Sequence, residues 1–114
     1  MFRSPSDLLR HMLGEIDFLQ EVHGRATREI LDLDGTLQRA VSRSIEIIGE
    51  ASKQMPAAFR ESHPQIPWKM IPGMRDRLIH GYFAVDYDIV WDVIENKLPE
   101  LRPLIVALLT TIED

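Results

Sequence analysis

The chain has 114 residues, 45% of them apolar, a length that suits one domain over residues 1–114 with a real core but little spare stability, so self-association is expected. It contains no cysteine, which excludes disulfides, thiol nucleophiles and cysteine-based metal sites. The formal charge of −5 argues against indiscriminate nucleic-acid binding, and no run approaches the roughly 18–20 apolar residues of a membrane span, so a cytoplasmic protein without membrane contact is expected.

The first helix carries a complete start signal: Ser4 as cap, Pro5 in the first turn and Asp7 three residues after Ser4. Leu8, Leu9, Met12, Leu13, Ile16 and Leu19 then recur at helical spacing, and Gly24 marks the stop. Arg25 to Leu33 has room for a short helix before the Asp32-Leu33-Asp34-Gly35 turn. Asp34 caps the next helix, about 35–54, whose stripe is Leu37, Ala40, Val41, Ser44, Ile45, Ile48, Ala51 and Met55. Its other face carries Arg39, Arg43, Glu46 and Glu50 in one row. That row is either a solvated face or a source of carboxylates for a buried cation on a neighbouring helix.

Pro56 to Pro67 reads as a connector with a helical turn at Ala57 to Glu61. A third long helix is expected from Trp68 to His80, stopped by Gly81, with Trp68, Ile71, Met74 and Leu78 on its core face. The next runs from Tyr87 to about Lys97 under an Asp86 cap and buries Ile89, Val90, Val93 and Ile94. Pro99 and Pro103 are expected to break or kink the chain before a last helix ending near Ile112. Nothing alternates with period two, so no sheet is expected. The fold class is all-α: an antiparallel up-and-down bundle of four to five helices.

The residues that carry chemistry lie in Arg75-Asp76-Arg77-Leu78-Ile79-His80-Gly81-Tyr82. Ten of the thirteen basic residues are arginine, which recognises phosphate bidentately. Arg75 can stabilise charge building on a phosphoryl group, with Arg77 beside it. His80 can act as general acid or base; in a helix's last turn the macrodipole favours its imidazolium form. Asp76, one turn earlier, is placed to bond its ring. On one straight helix Arg75 and His80 diverge by about 140°. Either Gly81 bends the terminus, or a second copy completes the site across a two-fold axis; the second is the preferred reading. His11, His23 and His63 are scattered, so neither a metal nor another cofactor is expected.

At these residues the chain resembles the HEPN superfamily and, within it, the HepT-like toxins of toxin–antitoxin pairs. The matching signature is Arg75, Asp76, three residues, His80, Gly81, Tyr82. The run Ile47-Ile48-Gly49-Glu50-Ala51, Pro67-Trp68, Gly73-Met74-Arg75, Trp91 and Leu98-Pro99 also look like the family pattern, so the resemblance covers about residues 5 to 110. Asp76 stands where the family more often has Asn. The resemblance implies a dimerising bundle and a metal-independent endoribonuclease site in the groove between protomers. Arg75 and His80 would be its catalytic pair. Tyr82 would be the residue that a cognate minimal nucleotidyltransferase antitoxin modifies with AMP. Two other readings stand beside this RNA-cleaving toxin. One is a catalytically inert HEPN-like module that docks a nucleotidyltransferase; the other is a purely structural helical dimer.

Overall fold

The structure is a computed structural model that describes residues 3–80 and 84–112, with Ile79 and His80 described by their backbone alone. The first helix, α1 (Pro5–Arg25), starts as its sequence dictates: the Ser4 hydroxyl accepts the Asp7 N–H at 3.2 Å. It ends one residue beyond Gly24, where Ala26 turns extended. Thr27 caps the short α2 (Arg28–Leu33), and the Asp34 carboxylate caps α3 (Gly35–Gln54) by accepting the Leu37 N–H at 3.0 Å. A short α4 (Ala57–Ser62) interrupts the proline-rich connector.

The core is the meeting of apolar stripes. Leu9, Met12, Ile16 and Leu19 of α1 are fully buried against Val41, Ile45 and Ile48 of α3 and Leu98, Leu101 and Ile105 from the C-terminal helix. On its other side α3 packs against α5 (Met70–Leu78), which contributes Ile71, Met74 and Leu78. The result is an all-α bundle. Among the described residues no helix is long and apolar enough to cross a membrane.

Two expectations are corrected. The expected helix from Trp68 to His80 is shorter, Met70–Leu78, and the chain then forms a two-residue antiparallel pair that periodicity could not reveal. Here β1 (Ile79–His80) lies against β2 (Ala84–Val85), with Ile79 opposite Val85 and His80 opposite Ala84. The Asp86 N–H extends the pair by donating to the Leu78 carbonyl.

The second correction concerns the prolines. From α6 (Tyr87–Asp92), capped by Asp86 as expected, the chain passes through a π-helical turn (Val93–Lys97) into α7 (Leu98–Thr111) without a break. In that turn the Leu98 N–H donates to the Val93 carbonyl rather than to Ile94. The wider turn accommodates Pro99, which has no N–H to give. The Ile94 carbonyl is instead satisfied by the Gln20 side-chain amide of α1 at 3.0 Å. Gln20→Leu should therefore lower the unfolding free energy by about 1–3 kcal/mol, the cost of leaving a part-buried carbonyl unpaired. The urea midpoint reads this, with an unchanged m-value; an unmoved midpoint would show that Gln20 does not hold the turn.

Candidate active site

Arg75 sits where α5 presses on α3. A Cβ at Gly49 would stand 3.4 Å from the Arg75 Cβ and 3.6 Å from the Pro72 Cα, ordinary contact distances, so the two helices meet closely here with room for a methyl group and little more. The Arg75 side chain is one-third exposed (33%), and its Nε is buried without a hydrogen-bond partner. Its Nη1 donates to the Asp76 carboxylate at 3.2 Å. Part of the guanidinium is thus desolvated and part presented to solvent, an arrangement that strengthens its attraction for an anion. Arg77 is exposed on the same helix and has no carboxylate partner among the described residues.

His80 is not in a helical last turn. The helix has ended at Leu78, and the His80 backbone belongs to β1. Two inferences that assumed a helical His80 are therefore withdrawn. The macrodipole of α5 does not act on it as on a last-turn residue, and Asp76, four positions earlier, is not joined to it by a continuous helical turn; Asp76 bonds Arg75. The 140° divergence also loses its premise, because the chain leaves the helical path two residues before His80. Helical phase therefore no longer favours a second copy over a bend. The side chain of His80 and the whole of Gly81 and Tyr82 lie outside the described residues.

The row on α3 resolves into local pairs. Arg43 stands 3.6 Å from Glu46 and 3.7 Å from Glu50, and among the described residues neither carboxylate reaches a cation on another helix. Elsewhere two arginines tie helices together. Arg28 donates to Asp32 at 2.9 Å and to Asp88 at 2.7 Å, linking α2 to the start of α6 just after β2. Those hydrogen bonds, Asp32 first, raise the Arg28 guanidinium above its already high ordinary value. Arg102 of α7, raised likewise by Asp17 of α1, makes a contact of 2.7 Å. Among the described residues no three His, Asp or Glu side chains form a metal-binding group.

One feature escapes a whole-chain charge. Residues 53–80 hold five of the thirteen Lys and Arg but only two of the eighteen Asp and Glu, a local charge of +3 in a chain of −5. Four of those cations, Lys53, Arg60, Lys69 and Arg77, have no carboxylate partner among the described residues. Counting charge by segment would have found this in the sequence. The role of Gly49 would not have been found, because it depends on which helix α3 meets.

A helical bundle with an arginine on one helix and a histidine just beyond its end, flanked by unpaired cations, has the architecture of the HEPN class. The family described as "Ribonuclease HepT-like" matches residues 12–108, and the chain belongs to it. Among its relatives, a "Putative RNase" of Caldanaerobacter subterraneus subsp. tengcongensis is 46% identical over 107 residues, covering 94% of this chain and 96% of that one. A "Probable ribonuclease HepT" of Thermococcus cleftensis is 40% identical over 102 residues, covering 90% and 93%. A "Putative RNase" of Methanocaldococcus jannaschii is 43% identical over 93 residues, covering 82% and 74%. No solved structure matches the chain. This is a ribonuclease-type HEPN protein.

Proposed function

We propose that the chain is a metal-independent endoribonuclease and the toxin of a toxin–antitoxin pair, acting as a dimer with the reaction in the groove between two copies. The observation that carries this reading is the α5–β1 junction, which sets Arg75 and His80 on different backbone elements five residues apart. The ribose 2′-oxygen attacks the adjacent phosphorus, the P–O5′ bond breaks, and a 2′,3′-cyclic phosphate and a 5′-hydroxyl result. His80 takes the proton from the 2′-hydroxyl or delivers one to the leaving O5′, and two copies in one groove would supply both roles. Arg75 stabilises the charge on the non-bridging oxygens, aided by its partly desolvated guanidinium. Arg77 contributes to phosphate attraction, and Asp76 holds Arg75 until RNA displaces it.

Control falls on Tyr82. Its phenolic oxygen attacks the α-phosphorus of ATP bound to a nucleotidyltransferase partner, pyrophosphate leaves, and the AMP places a bulky base and negative charge beside Arg75 and His80. Phosphate-seeking residues then face a phosphate that does not leave, and RNA is kept out.

The second reading is a catalytically inert module that docks the same nucleotidyltransferase. It draws on the 3.2 Å contact that gives Arg75 a carboxylate of its own. Induction in cells separates the two. The toxin reading expects growth arrest, relief by a co-expressed cognate nucleotidyltransferase, and no relief when the toxin carries Tyr82→Phe, which cannot accept AMP. No arrest, with AMP still added at Tyr82 by intact mass, would establish the inert module instead.

A further inference from the structure

A cavity among the described residues lies away from Arg75. It lies at the other end of α5, has a volume of about 540 Å³, and is lined by Arg60, Glu61, Ile66, Trp68, Lys69 and Met70 among others. Its walls are mostly apolar, and Trp68 is one of its lining residues. The Trp68 indole is fixed: its N–H donates to the His63 carbonyl at 2.9 Å, and Phe59 meets it edge-on with centroids 6.2 Å apart. A held aromatic ring in an open apolar pocket loses little freedom when another ring stacks on it.

The charge at the pocket selects the ligand. Arg60 and Lys69 have no carboxylate partner among the described residues, and the Arg60 Nε is buried with no hydrogen-bond partner. Glu61, the one carboxylate in the lining, is exposed and is outnumbered by the two cations. Both cations belong to the segment of local charge +3. An apolar ring site with a cationic rim fits a nucleobase whose phosphates run over the rim. An apolar peptide would leave those cations unmatched.

The pocket is also in line with Arg75. The Ile71 N–H donates to the Pro67 carbonyl at 3.3 Å, so a helical turn through Trp68 and Lys69 leads into α5. Trp68 and Arg75 are seven residues apart on that path, two turns and about 10 Å along the axis on nearly the same face. A strand whose phosphate lies at Arg75 can therefore run along α5 and set a flanking base in the pocket.

We infer that the Trp68 pocket is a nucleobase subsite for single-stranded RNA, with Trp68 as the stacking platform and Arg60 and Lys69 as phosphate contacts. The ligand class rests on the ribonuclease reading, and the test keeps the two apart. In the full chain carrying His80→Ala, which should bind RNA without cutting it, a short fluorescent oligouridine is titrated by anisotropy. Trp68→Leu and Lys69→Glu should each weaken binding about tenfold, while Trp68→Phe, which keeps an aromatic face, should retain most of it. Lys69 is exposed, so its substitution remains a test even if Trp68→Leu fails to fold.

In the cleaving protein, Lys69→Glu should also shrink the preference for long RNA over a dinucleoside phosphate by about the same factor. Unchanged oligouridine affinity in Lys69→Glu would overturn the subsite. So would intact RNA binding together with lost capture of the nucleotidyltransferase, which would assign the pocket to a protein. If the wild-type chain cuts no RNA yet Lys69→Glu and Trp68→Leu weaken binding, the subsite stands and the catalytic reading falls.

Discussion

His80→Ala is expected to lower RNA cleavage by about 10²–10⁴-fold, the range that a positioned proton-transfer group contributes. Folding should be nearly untouched. The elements around position 80 are held by the core face of α5 (Ile71, Met74 and Leu78) and by backbone bonds of the β1–β2 pair, which alanine can make equally well. Initial rates on single-stranded RNA beside a thermal melt measure both quantities. Arg75→Ala should fall by a comparable 10²–10³-fold through loss of charge stabilisation, and Arg75→Lys should recover only part of it, since an ammonium lacks the planar fork. Full cleavage by a folded His80→Ala chain would remove histidine from the mechanism.

The second large effect is expected at Gly49, which makes no hydrogen bond to the site and carries no side chain. Gly49→Ala adds one carbon at ordinary contact distance, 3.4 Å from the Arg75 Cβ, and gains helix propensity, so it should be neutral or slightly stabilising. Gly49→Leu asks for space already held by Arg75, Pro72 and the Ile71 carbonyl. It should cost about 1–3 kcal/mol in overpacking. It should also cost activity, because pushing α5 away by an ångström misplaces Arg75, and an error of that size can lower a rate about 10²-fold. Melting curves and cleavage rates of the two variants make the comparison. A fully active Gly49→Leu chain would show that the α3–α5 spacing does not position the arginine.

These residues also show what a sequence can and cannot disclose. Ser4, Asp34 and Asp86 announce their helices because a cap is a local event: the side chain bonds an N–H two or three residues on, whatever the rest of the chain does. The end of α5 is not local. Leu78, Ile79 and His80 continue an acceptable helical pattern, and the helix stops at Leu78 where the backbone pairs instead with residues 84–86. Pro99 shows the same difficulty in reverse. By itself it reads as a break or a kink, but a side chain 74 residues away takes the carbonyl that the π turn releases, and the chain stays helical without a break. At the site, the Arg75–His80–Tyr82 spacing was legible as a motif. The contact that half-buries Arg75 was not, because it depends on which helix α5 meets. The basic stretch at residues 53–80 was legible in principle but hidden in a total of −5.

The proposed reaction is RNA cleavage by 2′-oxygen attack, carried by Arg75 and His80 with no metal ion. It is tested most directly by incubating the purified chain with end-labelled single-stranded RNA in excess EDTA and identifying the product termini. Cleavage is expected at the same rate as without the chelator, with 2′,3′-cyclic phosphate and 5′-hydroxyl ends that disappear in His80→Ala. Loss of cleavage in EDTA, or products ending in 3′-hydroxyl and 5′-phosphate, would contradict it.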